Sequence, residues 1–180
     1  MLVIAATPLE LAFVESAETL CCGVGPVEAA AATARALAHG RHEAVLQIGI
    51  AGARALEPGT IVLGSESVYC DLVDPARSFV RIDRAAPDET LLAVARTVLP
   101  EAAVLPIATS ARVGGGHDLC DVEAMEGFGV LRAAAGAGVP ALELRAVSNA
   151  FDAARAAWRI DDALEALARA VGALLEAFDA

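Results

Sequence analysis

Short apolar segments that alternate with helical segments constrain the fold of this chain more than any other feature. Five runs have the length and apolar character of buried strands, at residues 2–6, 44–52, 60–70, 103–109 and 140–148. Helical patterns separate or follow them, at 27–38, 88–99, 123–138 and from Asp161, the expected N-cap of the last helix. This alternation predicts an α/β fold, a three-layer αβα sandwich with a central twisted mixed sheet.

Size and hydropathy indicate a globular protein. A chain of 180 residues with 57% hydrophobic side chains can bury one sizeable core, so we expect a single domain over residues 1–180. The mean hydropathy of +0.57 comes largely from alanine, and no apolar stretch reaches the roughly 18 residues of a spanning helix. The amino-terminal segment lacks the basic region of a signal peptide, and we therefore expect a cytoplasmic protein that does not bind membranes.

Charge and residue types exclude several classes of function. A formal net charge of −11 argues against nucleic acid and anionic membranes as partners, because phosphate binding needs clustered cations. The sequence contains no lysine, which excludes Schiff-base chemistry on an internal lysine. The four cysteines show no C-x-x-C spacing and the three histidines form no H-x-x-x-H pair. We therefore expect no metal, no cofactor and reduced, buried thiols.

Polar residues gather where strands of the predicted sheet end. The segments ATPLE (6–10), GIAGA (49–53) and RAVSN (145–149) each lie at the end of a strand, and VEAMEG (122–127) is predicted to start a helix. In open α/β folds, ligands bind beyond the carboxyl ends of strands. These residues alone predict a small-molecule site on an αβα domain.

Each of these residues also has an ordinary structural explanation. Glu10 could be a solvated side chain after a strand, and Glu126 a first-turn acid that complements a helix dipole. Gly49 and Gly52 could be turn glycines, and Asn149 could bond to its own backbone. Their combination is therefore more informative than any one of them.

That combination resembles the purine nucleoside phosphorylase and nucleosidase superfamily. GVGPVEAAAATARAL (23–37) is similar to its glycine segment before a helix, and IGIAGA (48–53) to its second glycine turn. AMEG (124–127) is similar to its methionine-glutamate ribose motif, and RAVSN to its closing strand. The resemblance spans about residues 2–178 and is strongest to the futalosine hydrolases. These also have a segment similar to VYCDL (68–72) and a tryptophan after RAVSN. It implies a homo-oligomer, a dimer or higher.

The resemblance also implies roles for individual residues. It assigns Glu10 to the activation of water, Arg145 to a position near that water, and Asn149 to the purine. Glu126 would bind the ribose hydroxyls with Met125 against the sugar, since cleavage builds positive charge on the ribose. The rest of the implied substrate-binding set is Gly49, Ile50, Ala51, Gly52, Val113 and Ser148.

Glu10 and Asn149 suggest the reaction and the base. A carboxylate at Glu10 would repel a phosphate dianion, which favours water as the acceptor. Methylthioadenosine nucleosidases carry aspartate where this chain has Asn149, whose amide can donate to a 6-oxo oxygen and accept from N7–H. We therefore expect a small-molecule purine nucleoside as partner, and hydrolysis of futalosine to release hypoxanthine in menaquinone biosynthesis.

Alternatives remain open at this point. The chain could be a purine nucleoside phosphorylase, a 6-oxopurine or methylthioadenosine-type nucleosidase, or a non-catalytic nucleoside-binding relative with shortened loops. Val113 stands where nucleosidases place an aromatic that stacks on the base, so stacking would fall to Phe151, Phe128 or a partner subunit. The candidates to bind the carboxylate tail of futalosine are Arg112, Arg77 and Arg54. Trp158 could pack over the same tail.

Overall fold

The structure, a computed structural model, describes residues 1–76, 78–114 and 118–179. Its helices are α1 (Pro8–Leu11), α2 (Pro26–His39), α3 (Glu89–Val98), α4 (Gly127–Ala137) and α5 (Ile160–Phe178), with a short 3-10 helix at Arg155–Ala157. Its strands are β1 (Leu2–Ala5), β2 (Glu18–Cys21), β3 (Val45–Ala53), β4 (Ile61–Tyr69), β5 (Arg84–Ala85), β6 (Ala103–Thr109), β7 (Val122–Ala124) and β8 (Ala141–Ala150).

The strands form one mixed sheet, part of which closes on itself. The order is β2-β1-β3-β7-β6-β4-β5, and β8 pairs with both β3 and β4. Strands β3, β8, β4, β6 and β7 therefore form a closed ring, in which the β3–β7 and β4–β8 pairs are antiparallel. β1 and β2 extend the sheet beyond β3, and β5 extends it beyond β4.

Helices cover both faces of this sheet. One core cluster joins β1, β3 and β8 to α5, whose apolar stripe includes the buried Leu167, Val171 and Leu174. A second cluster joins the other face to α2 and α4 through Ala29, Val130 and Leu131. This arrangement confirms the predicted αβα fold with a mixed central sheet.

Two predicted helix boundaries were wrong. Residues 122–124 form β7 rather than the start of a helix, and α4 begins at Gly127 with Glu126 as its N-cap. Pairing of β7 with β3 and β6 overrides the local helical pattern there. The last helix begins at Ile160 with Arg159 as N-cap, so Asp161 lies in its first turn.

Besides β7 and the 3-10 helix, three short elements were not predicted. β2 is a mostly exposed edge strand and β5 has two residues, so neither forms an apolar run. α1 is a single turn whose signal, Thr7 followed three residues later by Glu10, is a capping box.

No helix within the described part of the chain has the length and apolar character needed to cross a bilayer. Among the same residues, no group of three or more His, Cys, Asp or Glu side chains is placed to hold a metal ion.

Candidate functional site

A cavity of about 240 Å³ lies above the carboxyl ends of β3 and β8 and beside the start of α4. The sequence-predicted residues that line it are Ile50, Ala51, Gly52, Val113, Met125, Glu126, Ser148 and Asn149. Glu10, Gly49 and Arg145 lie one layer deeper, in contact with Ile50, Glu126 or one another. The structure thus brings together residues that are up to 139 positions apart, Glu10 and Asn149.

Arg145 is the centre of a buried charge cluster beneath this cavity. Its side chain is 1% exposed, and Nε donates to Glu143 Oε1 at 2.9 Å while Nη2 donates to Glu126 Oε2 at 3.3 Å. The Ser67 hydroxyl donates to the other oxygen of Glu143. Burial lowers the pKa of Arg145, but Glu143, Glu126 and Glu10 more than offset that and raise it. The guanidinium is therefore charged, as a buried cation with paired carboxylates should be.

Both oxygens of Glu126 are held in place. Oε1 accepts from the backbone N–H of Gly25, the N-cap of α2, at 3.1 Å, and Oε2 accepts from Arg145. The pKa of Glu126 is raised, chiefly by burial and further by the charges of Glu10 and Glu143. Arg145 and the N–H of Gly25 oppose this shift. The positive end of the α2 dipole and the arginine favour the carboxylate form. Each oxygen keeps acceptor capacity for a hydroxyl in the cavity.

Glu10 is oriented by three hydrogen-bond donors of the protein. Oε2 accepts from the backbone N–H and the hydroxyl of Thr7 at 3.0 and 2.8 Å, and Oε1 accepts from the Ile50 N–H at 3.1 Å. The residue is 6% exposed, so the solvated alternative for Glu10 does not describe it. A carboxylate has about four acceptor sites, so this one keeps room for a single further donor.

Gly49 allows this approach. A Cβ on Gly49 would clash with Arg145 Nη1 and lie 2.8 Å from Glu10 Oε1. The glycine is therefore required where the two charged groups meet.

A β-bulge places two consecutive side chains in the cavity. Ala51 pairs with Val147, but Gly52 pairs with Asn149, so Ser148 is the extra residue on β8. Side chains alternate between faces in a regular strand, whereas Ser148 and Asn149 both line this cavity. Ser148 Oγ donates to Asn149 Oδ1 at 2.7 Å.

The hydrogen bonds of Asn149 define which way its amide points. The Ala150 carbonyl can only accept, so the group 2.8 Å from it is Asn149 Nδ2, and Oδ1 faces Ser148. One N–H of Nδ2 and one lone pair of Oδ1 remain. Asn149 thus offers an adjacent donor and acceptor, although it also bonds to its own backbone.

Two acidic residues of the site were missed in the sequence. Glu143 lies two residues before Arg145 on β8, on the same face, inside a strand that was taken as apolar. A charged residue in that run was the available signal. Glu123 lines the cavity from β7 and was overlooked because 123–138 was predicted to be helical.

The cavity mouth carries two arginines and one tryptophan. Arg112 and Val113 come from the loop after β6, and Arg155 and Trp158 from the segment after β8. The Arg155 guanidinium lies 4.2 Å from the centroid of the Trp158 ring. Val113 is 64% exposed at this rim.

Other candidates for the tail and the base lie elsewhere. Arg54 pairs with Asp121 at 3.3 Å and Asp118 at 3.4 Å, and its guanidinium lies 5.0 Å from the ring centroid of Phe151. Phe128 stacks on Tyr69 with a centroid separation of 5.2 Å, outside the cavity. Arg77 falls outside the described residues.

Comparisons with known proteins agree with this architecture. Residues 19–116 match the phosphorylase superfamily. A futalosine hydrolase from Streptomyces coelicolor is 37% identical over 182 residues, which cover 87% of this chain and 77% of that protein.

Solved structures share the fold. A 5'-methylthioadenosine/S-adenosylhomocysteine nucleosidase from Streptococcus pneumoniae, in complex with a transition-state inhibitor, has a TM-score of 0.88 at 23% identity and 99% coverage of both chains. A futalosine hydrolase mutant from Helicobacter pylori has a TM-score of 0.86 at 17% identity and 97% coverage of both chains.

Proposed function

The chain belongs to the phosphorylase superfamily and is a nucleosidase, an N-glycosyl hydrolase, and we propose that it hydrolyses futalosine to release hypoxanthine in menaquinone biosynthesis. The futalosine hydrolase relative supports this substrate, because its likeness covers most of both chains. The observation that carries the proposal is the amide of Asn149 at the cavity wall.

The orientation of Asn149 suits a 6-oxopurine. Its remaining N–H can donate to O6, while Oδ1 accepts from N7 once that nitrogen carries hydrogen. A 6-amino group would place a donor against a donor. Buried sites of this kind discriminate strongly, because a mismatched base leaves polar groups unpaired.

The charge cluster suits a reaction that builds positive charge on the sugar. Hydrolysis adds the hydroxyl of water to C1′ and a proton to the base as the C1′–N9 bond breaks. Glu126 would accept hydrogen bonds from the ribose hydroxyls and stabilise the cationic sugar, with Met125 against its apolar face. Glu10 would take the proton from the attacking water, and Arg145 would hold Glu126 in place.

The same cluster disfavours phosphate as the acceptor. Arg145 is enclosed by the carboxylates of Glu143, Glu126 and Glu10, so its charge is already balanced. A phosphate dianion at this position would meet Glu10 and Glu126 at close range in a poorly solvated pocket. Water carries no such penalty.

The mouth of the cavity suits the anionic, aromatic tail of futalosine. Arg112 and Arg155 supply positive charge there, and Trp158 supplies a flat apolar surface. Arg155 would take the role that was also expected of Arg54, which forms ion pairs with Asp118 and Asp121.

A substrate panel tests the proposal. Purified protein is incubated with futalosine, inosine or methylthioadenosine, with and without phosphate, and free base is quantified. We expect hypoxanthine from futalosine, independent of phosphate, with little base from the other two. Phosphate-dependent release indicates a phosphorylase, equal turnover of inosine a general 6-oxopurine nucleosidase, adenine release a methylthioadenosine-type enzyme, and no release a binding protein; each of these results overturns the proposal.

Substitution of Glu10 tests the mechanism. We expect Glu10→Gln to lower kcat for futalosine by about 10² to 10⁴-fold with little change in KM, because a placed base contributes about that much. Glu15→Gln, at an exposed position five residues later, is the matched control and should keep full activity. Full activity in Glu10→Gln would remove Glu10 from the mechanism.

A further inference from the structure

We propose that Glu123 recognises the N1 edge of the base, where its carboxylate accepts the N1–H that a 6-oxopurine carries and a 6-aminopurine lacks. The inference extends the proposed function, since it concerns the base of the same substrate. It makes Glu123 a specificity-determining residue for the nucleosidase reaction.

Three neighbouring strands place Glu123 across from Asn149. Gly52 of β3 pairs with Glu123 of β7 on one side and with Asn149 of β8 on the other. Residues that pair directly share a face of the sheet, so the two polar side chains flank a glycine. A Cβ on Gly52 would lie 3.1 Å from Asn149 Nδ2 and 3.4 Å from Glu123 Oε1. Both groups therefore reach over the same point, within the space of one flat heterocycle.

The two groups also complement adjacent atoms of one base. In a 6-oxopurine, O6 accepts and the neighbouring N1–H donates, whereas in a 6-aminopurine the amino group donates and N1 accepts. Asn149 supplies a donor, and the Glu123 carboxylate supplies an acceptor only. The pair matches the first pattern at both atoms and the second at neither.

Glu123 is buried in the cavity wall, which makes its interaction strong. The residue is 8% exposed and lines the cavity. The pKa of Glu123 is raised, chiefly by burial and further by the charge of Asp152. The backbone N–H of Gly114 and the guanidinium of Arg54 oppose this shift. When the carboxyl group takes up a proton it becomes a donor, which suits N1 of a 6-aminopurine. The preference for the 6-oxo base should therefore narrow as the pH falls through this raised pKa.

The test compares futalosine with its 6-amino counterpart in Glu123→Gln and in the wild-type protein. A glutamine amide can turn either its oxygen or its NH₂ to N1, so it removes the discrimination while preserving size. We expect the ratio of kcat/KM for the 6-oxo over the 6-amino substrate to fall about 10- to 100-fold, the scale of one hydrogen bond to a charged group. The pH dependence of that ratio should disappear in Glu123→Gln. Glu101→Gln makes the same change at an exposed position outside the cavity lining and should leave the ratio unchanged.

Binding of free bases separates this inference from the proposed function. The affinities of hypoxanthine and adenine are measured by calorimetry for the same three proteins. If no futalosine is cleaved but hypoxanthine is preferred in a Glu123-dependent manner, the proposed function fails and the inference stands. If futalosine is cleaved and Glu123→Gln keeps the wild-type preference in turnover and binding, the inference fails.

Discussion

Arg145 shows how a single residue can organise this site without entering the cavity. It bridges Glu143 on its own strand and Glu126 at the start of α4. Removal of the guanidinium would leave carboxylates buried without their counter-charge, which typically costs about 3–5 kcal/mol. Arg145 holds the Glu126 carboxylate through Nη2, and the nearby Gly49 is small enough to permit the approach of its guanidinium.

The four thiols should differ sharply in reactivity. Burial raises the pKa of Cys22 and Cys120 to about 12 and that of Cys70 to about 11, while Cys21 is exposed. Because the thiolate is the reactive form, we expect one rapidly labelled thiol per chain at pH 8 under native conditions and four in urea. Labelling by a maleimide, followed by peptide mass spectrometry, checks this. Rapid native labelling of any buried thiol would contradict it.

Which residues form the site was easier to predict from the sequence than the hydrogen bonds that these residues make. The motifs pointed to Glu10, Glu126, Arg145 and Asn149 because their combination resembles that of a known superfamily, although each residue alone has an ordinary explanation. Their hydrogen bonds depend on contacts such as that of Gly25 with Glu126, which are 101 residues apart in the chain. Spacing along the sequence does not encode such contacts.

Strand β7 and helix α4 show where local pattern failed. The segment 122–126 has helix-forming residues, yet three of them complete the ring of strands and Glu126 becomes an N-cap. Pairing energy from β3 and β6 decides the conformation, and no local signal contains it. By contrast, α5 was predictable through most of its length, because its apolar stripe repeats over five turns.

Two glycines of α4 should respond oppositely to alanine. A Cβ on Gly127 would clash with the carboxylate of Glu143, which Ser67 and Arg145 hold in place, whereas a Cβ on Gly136 meets nothing within 4 Å. We expect Gly127→Ala to lower the free energy of unfolding by about 1–3 kcal/mol. Gly136→Ala should raise it by about 0.5–1 kcal/mol through helix propensity. Urea denaturation measures both, and equal shifts would contradict the packing of Glu143 under α4.

At the scale of the whole molecule, the sequence predicted the layers of the fold but not its closed ring of strands. The alternation of strands and helices was enough to predict the layers of the fold. The closed ring was not predictable, because β7 joins β3 to β6 across long separations in sequence. That ring and α4 enclose Glu126 and Glu143 with the single cation Arg145 between them. A protein of net charge −11 has more carboxylates than cationic side chains to neutralise them.

The pH dependence of unfolding should report Glu126. Burial raises its pKa in the folded state above the ordinary 4.5, so between that value and the folded pKa the folded protein holds more protons than the unfolded chain. The contribution is complete below 4.5 and is lost as the pH rises through the folded pKa. We expect the free energy of unfolding of Glu126→Gln to fall less steeply than that of the wild type over this window. Urea denaturation at a series of pH values measures it, with the exposed Glu176→Gln as control, and parallel curves would contradict it.

The division between a strand-built floor and a loop-built rim has a consequence for how such enzymes diversify. The groups proposed to act on the sugar and the base lie on or next to strands of the ring, while Arg112, Arg155 and Trp158 lie on connecting segments. Connecting segments tolerate substitution and insertion far better than paired strands. Under the proposed function, a substrate with another base requires substitutions in the strands, whereas a substrate with another 5′ substituent requires changes only in the connecting segments. Descendants of this protein could therefore change the 5′ substituent of their substrate without changing the residues proposed to cleave the glycosidic bond.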